Sequence, residues 1–205
     1  MPDEIDEKAT ARSRFVNNRR ALGNHERARQ SAAAARRLLA LPVVATAHTV
    51  AAYWPLGTEP DTRSLIGALV DRGTEVLLPV LLPDRDLDWA RYGGDPVELV
   101  GAGAGTMRPR GRALGLDAVA RAQVLVVPAL AVTALGVRLG RGGGSYDRVL
   151  ARLSDTAAGG VDVPWTCSLL YEGELGTLPS TAIQAHDRAV DAACTASQLT
   201  EFAAL

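Results

Sequence analysis

An α/β fold, three layers deep with a mostly parallel central sheet, is what this 205-residue sequence predicts. Three observations point there. The apolar runs at residues 49–54, 75–80, 123–127 and 166–171 have no polar face, as strands covered on both sides read. Helical patterns separate several of these runs, so the connections are crossovers and the layers α/β/α. A cluster of glycines sits between an apolar run and a helix, and sheets of this class hold ligands beyond the carboxyl ends of their strands.

Taken in order, residues 3–22 and 24–40 read as a helical pair packed on the sheet. The first helix carries Ala11, Phe15, Val16 and Leu22 among many arginines. Gly23 breaks it and Asn24 is a capping candidate for the second. Alanine and leucine recur on one face of that second helix, at Ala28, Ala32, Ala35 and Leu39, and Pro42 follows its end. Residues 49–54 form a strand stopped by Pro55, and Asp61-Thr62 starts a helix that Gly73 closes. Residues 75–80 form the next strand, and alternating Leu87 and Trp89 mark another over 87–92. A loop at 101–105, a short helical turn at 117–121 and a strand at 123–127 lead to the glycine cluster. A helix from Tyr146 and strands at 166–171 and 189–195 close the series. All of this fits a single domain over residues 1–205.

Composition narrows the function. Apolar residues make up 47 % and charged residues 22 %, ordinary values for a globular chain. A net charge of −1 gives no reason to expect a nucleic acid or an anionic membrane as partner. No run of 18 uncharged apolar residues could span a bilayer. The acidic opening Met-Pro-Asp-Glu-Ile-Asp-Glu-Lys has no apolar signal core. A cytoplasmic monomer is the expectation. Cys167 and Cys194 lie far apart in apolar runs and read as buried free thiols.

The chemistry concentrates in residues 138–148, Arg-Leu-Gly-Arg-Gly-Gly-Gly-Ser-Tyr-Asp-Arg. Glycine allows positive φ and a close approach of ligand to backbone. A glycine loop feeding a helix aims N–H groups and the positive end of the dipole at one spot, which favours an anion such as phosphate. Arg138, Arg141 and Arg148 add positive charge. With 20 glycines in the chain, a merely glycine-rich turn is the competing reading. A linker would need neither Tyr146 nor Asp147. Asp147 suits the first helical turn by its charge alone; beside a phosphate it also suits Mg²⁺, which takes one or two carboxylates with phosphate oxygens. The single lysine, Lys8, is not preceded by glycine, which excludes a Walker A loop, and Ser145 stands where a dinucleotide fingerprint needs its last glycine.

Residues 136–147, Gly-Val-Arg-Leu-Gly-Arg-Gly-Gly-Gly-Ser-Tyr-Asp, follow the pattern Gly-x-Arg-Leu-Gly-x-Gly-x-Gly-Tyr-Tyr-Asp. Lys8 and Arg12 form a Lys-x-x-x-Arg pair. Residues 53–59 have the form aromatic-x-Pro-x-x-x-Glu, and Leu178-Pro179 precedes Asp187 and Asp191. In this order the four segments resemble the 5-formyltetrahydrofolate cyclo-ligase (5,10-methenyltetrahydrofolate synthetase) family along nearly the whole chain. The departure is Ser145, where the family has a tyrosine.

The resemblance implies a ligase that closes 5-formyltetrahydrofolate to 5,10-methenyltetrahydrofolate with Mg²⁺ and ATP, releasing ADP and phosphate. It implies ATP contacts at Lys8, Arg12, Arg138, Leu139, Gly140, Arg141, Gly142, Gly143, Gly144, Ser145 and Tyr146. Folate contacts would come from Trp54, Glu59, Arg141, Gly142, Gly143, Gly144 and Ser145, metal ligands from Asp147 and Asp187, and catalytic roles from Arg138 and Tyr146. Each has an ordinary reading beside it: an exposed basic helix face for Lys8 and Arg12, a core aromatic for Trp54, a helix-leading acid for Glu59, a turn residue for Asp187. His186 reads as structural or solvent-facing, not catalytic, and His25 and His48 carry no motif. Two other functions share the same loop: another phosphate-handling enzyme, such as a sugar-phosphate isomerase or CoA transferase, and a binding protein without turnover.

Overall fold

The structure, a computed structural model, describes residues 3–103, 105–178 and 187–203, with side chains from Glu7 onward. Five strands run parallel at its centre: β1 (Thr49–Ala51), β2 (Glu75–Leu81), β6 (Val124–Val126), β9 (Trp165–Leu169) and β10 (Ala192–Cys194). Two antiparallel strands, β3 (Leu87–Tyr92) and β11 (Leu199–Glu201), close its edges. The order across the sheet is β11-β10-β9-β6-β1-β2-β3.

Side chains of successive strand residues point to opposite faces, and here both faces are apolar. Val50, Val76, Leu78, Val124, Val126, Cys167 and Cys194 join one buried cluster with Ala34, Ala35 and Leu38 of helix α2 (Asn24–Leu39) and Leu65, Ile66 and Leu69 of α4 (Arg63–Asp71). The short helix α3 (Pro42–Ala45) joins that face through Val44. Ala51, Leu77, Trp89, Leu125 and Val127 join the other cluster, with Val149, Leu150 and Leu153 of α5 (Ser145–Ala158) and with Ala118 and Val119 of a 3₁₀ segment, Leu116–Arg121. This two-sided burial is why the strands lack a polar face. Both cysteines are buried and free, as expected.

The N-terminal pair divides its work. Helix α2 lies on the sheet. Helix α1 (Asp3–Ala21) instead presses Ala11 and Phe15 onto Leu130, Ala131, Leu139 and Leu178. Leu130, Ala131 and Leu139 belong to or flank a small hairpin, β7 (Ala131–Val132) with β8 (Arg138–Leu139). This hairpin intervenes between β6 and the glycine loop, which therefore does not follow the sheet strand directly. A second hairpin, β4 (Leu99–Gly101) with β5 (Met107–Pro109), interrupts residues 93–115. Strand 49–54 leaves the ladder after Ala51, and strand 189–195 is regular only over Ala192–Cys194. The cap of α2 is Gly23, not Asn24; Asn24 is the first helical residue, and its side chain accepts from Arg27 Nη2. Pro179 and His186 lie outside the described residues.

Candidate active site

The glycine loop is a wall between two cavities. The first, about 230 Å³, is bordered by Tyr53, Trp54, Leu56, Glu59, Met107, residues 128–130, Tyr146 and the loop. The second, about 280 Å³, is bordered by Lys8, Arg12, Leu139, Arg148 and Asp187. Arg138, Gly140, Gly142, Gly144 and Asp147 face both. One chamber is mostly apolar, with Glu59 its own carboxylate beside the shared Asp147, and the other is mostly charged.

Local sequence explains the wall. Gly144 adopts a left-handed conformation, φ +75, at the start of α5, with no side-chain cap. The first N–H groups of a helix have no acceptor within it, and here no side chain caps them. Arg12 Nε donates to the Gly140 carbonyl at 3.0 Å, which ties α1 to the loop. Lys8, one helical turn earlier, donates to both carboxylate oxygens of Asp187 at 2.9 and 2.6 Å. Two segments distant in sequence thus complete the charged cavity.

Arg138 is the electrostatic centre. Its side chain is buried, and Nη2 donates to Asp147 Oδ1 at 2.6 Å. Its guanidinium carbon lies 5.9 Å from the centre of the Tyr146 ring. Arg138 Nε and the Tyr146 hydroxyl are buried without a hydrogen-bond partner, and such atoms in native folds call for an explanation such as a missing ligand or water. Burial draws the Arg138 pKa down against the charge of Asp147, yet an arginine remains protonated in a protein. Burial also pushes the Tyr146 phenol far above its usual range, so it is a neutral donor at any working pH.

In the first cavity, Glu59 Oε2 accepts from Leu56 N at 2.9 Å, and Glu59 Oε1 lies 3.5 Å from Arg141 Nε. Burial raises the Glu59 pKa, with the Leu56 N–H and Arg141 opposing it. Trp54 meets Tyr92 edge-on, 5.7 Å between centroids, and packs on the core while bordering the cavity.

The candidate residues gather around these chambers. Lys8, Arg12 and Leu139 border only the charged one; Trp54, Glu59, Arg141, Gly143, Ser145 and Tyr146 border only the apolar one. Leu139 turns its side chain into the α1–hairpin core. Asp147 and Asp187 share the charged cavity. Two carboxylates beside a basic anion site match the donor set of Mg²⁺, which completes its shell with phosphate oxygens and water. Among the described residues no group of three or more His, Cys, Asp or Glu side chains forms a protein-only metal cage.

Arg19 was not a sequence candidate. It is fully buried, pairs with Glu174 at 2.6 and 2.8 Å, donates to Ala129 O at 2.6 Å, and borders the apolar cavity. A signal existed. Lys8, Arg12, Phe15 and Arg19 recur at steps of four, three and four, one helical stripe, and only its basic composition disguised it as a solvated face.

A charged chamber and a more apolar one lie on either side of a glycine loop that opens a helix of this α/β protein. The sequence profile of the 5-formyltetrahydrofolate cyclo-ligase family matches residues 4–196. A 5-formyltetrahydrofolate cyclo-ligase of Mycolicibacterium smegmatis is 37 % identical over 155 residues, covering 73 % of this chain and 78 % of the relative. The Escherichia coli cyclo-ligase is 37 % identical over 134 residues, 64 % of this chain and 73 % of that one. The solved 5,10-methenyltetrahydrofolate synthetase of Aquifex aeolicus superposes with a TM-score of 0.77 at 25 % identity, over 95 % of this chain and 92 % of the other. The Mycoplasma pneumoniae synthetase shares the fold, with a TM-score of 0.69 at 17 % identity over 92 % and 98 % of the two chains. This chain belongs to the 5-formyltetrahydrofolate cyclo-ligase family and is an enzyme of the ligase class. No helix among the described residues is long and apolar enough to cross a membrane.

Proposed function

We propose that the protein converts 5-formyltetrahydrofolate and ATP to 5,10-methenyltetrahydrofolate, ADP and phosphate, as a cytoplasmic monomer. The observation that carries this reading is the shared lining: Arg138, Gly140, Gly142, Gly144 and Asp147 face both cavities, so the chambers adjoin along the loop, where a γ-phosphate held in one reaches an acceptor oxygen held in the other.

The chemistry asks for such a lining. The formyl oxygen attacks the γ-phosphorus and ADP leaves. N10 then attacks the activated formyl carbon, loses its proton, and phosphate departs as the ring closes. The protein's share is positioning and charge neutralisation. Lys8, Arg12, Arg148 and the loop amides hold the triphosphate. Arg138, buried and permanently charged, stabilises charge on the group in transfer, and the neutral Tyr146 hydroxyl donates beside it. Glu59 accepts N–H donors of the reduced pteridine, with Trp54 along the ring and Arg141 closing the loop over it. Asp147 and Asp187 would hold Mg²⁺, which when bound neutralises phosphate charge.

Absorbance of the methenyl product tests this. It appears with 5-formyltetrahydrofolate and MgATP together and in neither single omission. Product without ATP would refute the phosphorylation step; tight binding of both substrates with no product would favour a protein without turnover.

A further inference from the structure

We propose that Tyr171 is a positioning residue for the apolar cavity, fixing Glu59 from behind through its hydroxyl; this rests on the reading of Glu59 as a folate contact. Tyr171 borders neither cavity and is buried. Its Oη donates to the backbone carbonyl of Glu59 at 3.2 Å, across 112 positions of sequence.

The loop needs an external anchor at this point. The Leu56 N to Glu59 Oε2 bond and the Glu59 N to Leu56 O bond are both internal to it. They shape the loop without locating it against the sheet. The other ties from outside the segment hold the Glu59 side chain or the residues after it: Arg141 Nε lies 3.5 Å from Glu59 Oε1, Tyr53 Oη donates to Pro60 O at 3.0 Å, and Asp61 N donates to Ser31 Oγ at 2.9 Å.

Tyr171 is itself held on two sides. Its backbone N donates to Glu174 Oε2 at 2.9 Å, and the Arg19 guanidinium lies 5.4 Å from its ring centre. Arg19 and Glu174 form a bidentate buried pair, and Arg19 also holds Ala129 O of the cavity wall. A buried charge pair thus fixes the ring, and the ring's hydroxyl fixes the carboxylate's backbone. The extended stretch after β9 is what brings these groups together, not the glycine loop.

The test is Tyr171→Phe, which keeps the ring under Arg19 and the N–H to Glu174 and removes one oxygen. A neutral hydrogen bond of this kind is worth about three- to tenfold in an equilibrium. KM for 5-formyltetrahydrofolate is expected to rise by that factor, with KM for ATP and kcat within about twofold of the parent. A hydroxyl that served stability alone would lower Tm and leave the ratio of the two KM values unchanged. An unaltered folate KM in the active variant, or equal shifts in both KM values, overturns the positioning role. A parent protein that neither binds nor cyclises 5-formyltetrahydrofolate overturns the functional reading itself, and this role with it.

Discussion

Gly142→Ala reads the glycine loop most sharply. Gly142 has φ +92, and a Cβ built there would lie 3.5 to 3.7 Å from the Arg12 guanidinium. That spacing is ordinary contact, so the cost is in the backbone. A residue with a Cβ pays roughly 1–2 kcal/mol in left-handed space, and at an incompatible φ this net cost outweighs the gain from a stiffer unfolded chain. A chain of this size loses roughly 2–4 °C of Tm per kcal/mol, so a fall of about 2–8 °C follows from those two figures. Gly143 is the internal control. Its φ is not in the positive range, and a Cβ there would meet only Ser145 Oγ, at 3.8 Å. Gly143→Ala is expected to leave Tm within about 1 °C of the parent or to raise it slightly. Thermal unfolding by circular dichroism measures both. In activity, Gly142→Ala raises KM for ATP, because Arg12 and the Gly140 carbonyl it holds sit beside the altered turn. Equal losses of Tm in the two variants, or a larger loss for Gly143→Ala, would refute the assignment of the strain to Gly142.

Three further outcomes follow from the charges. Glu59 has a raised pKa through burial, so the native state holds its proton more tightly than the unfolded chain and this group's contribution to stability falls as pH rises through the raised value. Glu59→Gln is therefore more stable than the parent at neutral pH, with the gain fading in acid, while its KM for 5-formyltetrahydrofolate rises; urea titrations across pH 4–8 and steady-state kinetics check both halves. Glu174→Ala leaves Arg19 buried without its partner, which costs about 3–5 kcal/mol, a fall in Tm of roughly 6–20 °C; replacing both residues with methionine recovers most of it, as calorimetry would show. Asp147→Asn keeps the shape beside Arg138 and removes the charge. Turnover drops by roughly a hundredfold and no longer responds to added Mg²⁺, while 5-formyltetrahydrofolate still binds.

Much of the fold could be read from the chain because its strands are buried on both faces, and Val50, Leu77 and Val126 each belong to an unbroken apolar run. The glycine loop was legible for a local reason, since turn, dipole and arginines lie within eleven residues. The two small hairpins were not. Strands of two and three residues, such as Ala131–Val132 and Leu99–Gly101, carry no period to detect. Nor could any local pattern reveal that Lys8 reaches Asp187 or that Tyr171 reaches Glu59. Those contacts depend on sheet order, which places β9 beside β6 and β10 beside β9. The division of candidates between two chambers is likewise a property of the folded loop: Arg138 and Arg141 are three positions apart, yet one faces both cavities and the other only the apolar one.

The central claim is that the glycine loop separates the two substrates and touches both. A crystal structure with a non-hydrolysable ATP analogue and 5-formyltetrahydrofolate tests it most directly. The triphosphate is predicted among Lys8, Arg12 and Arg148, with the pteridine beside Glu59 and Trp54 and the γ-phosphate in direct line with the formyl oxygen beside residues 140–147. A triphosphate lodged in the Glu59 chamber, or both ligands on one side of the loop, would contradict it.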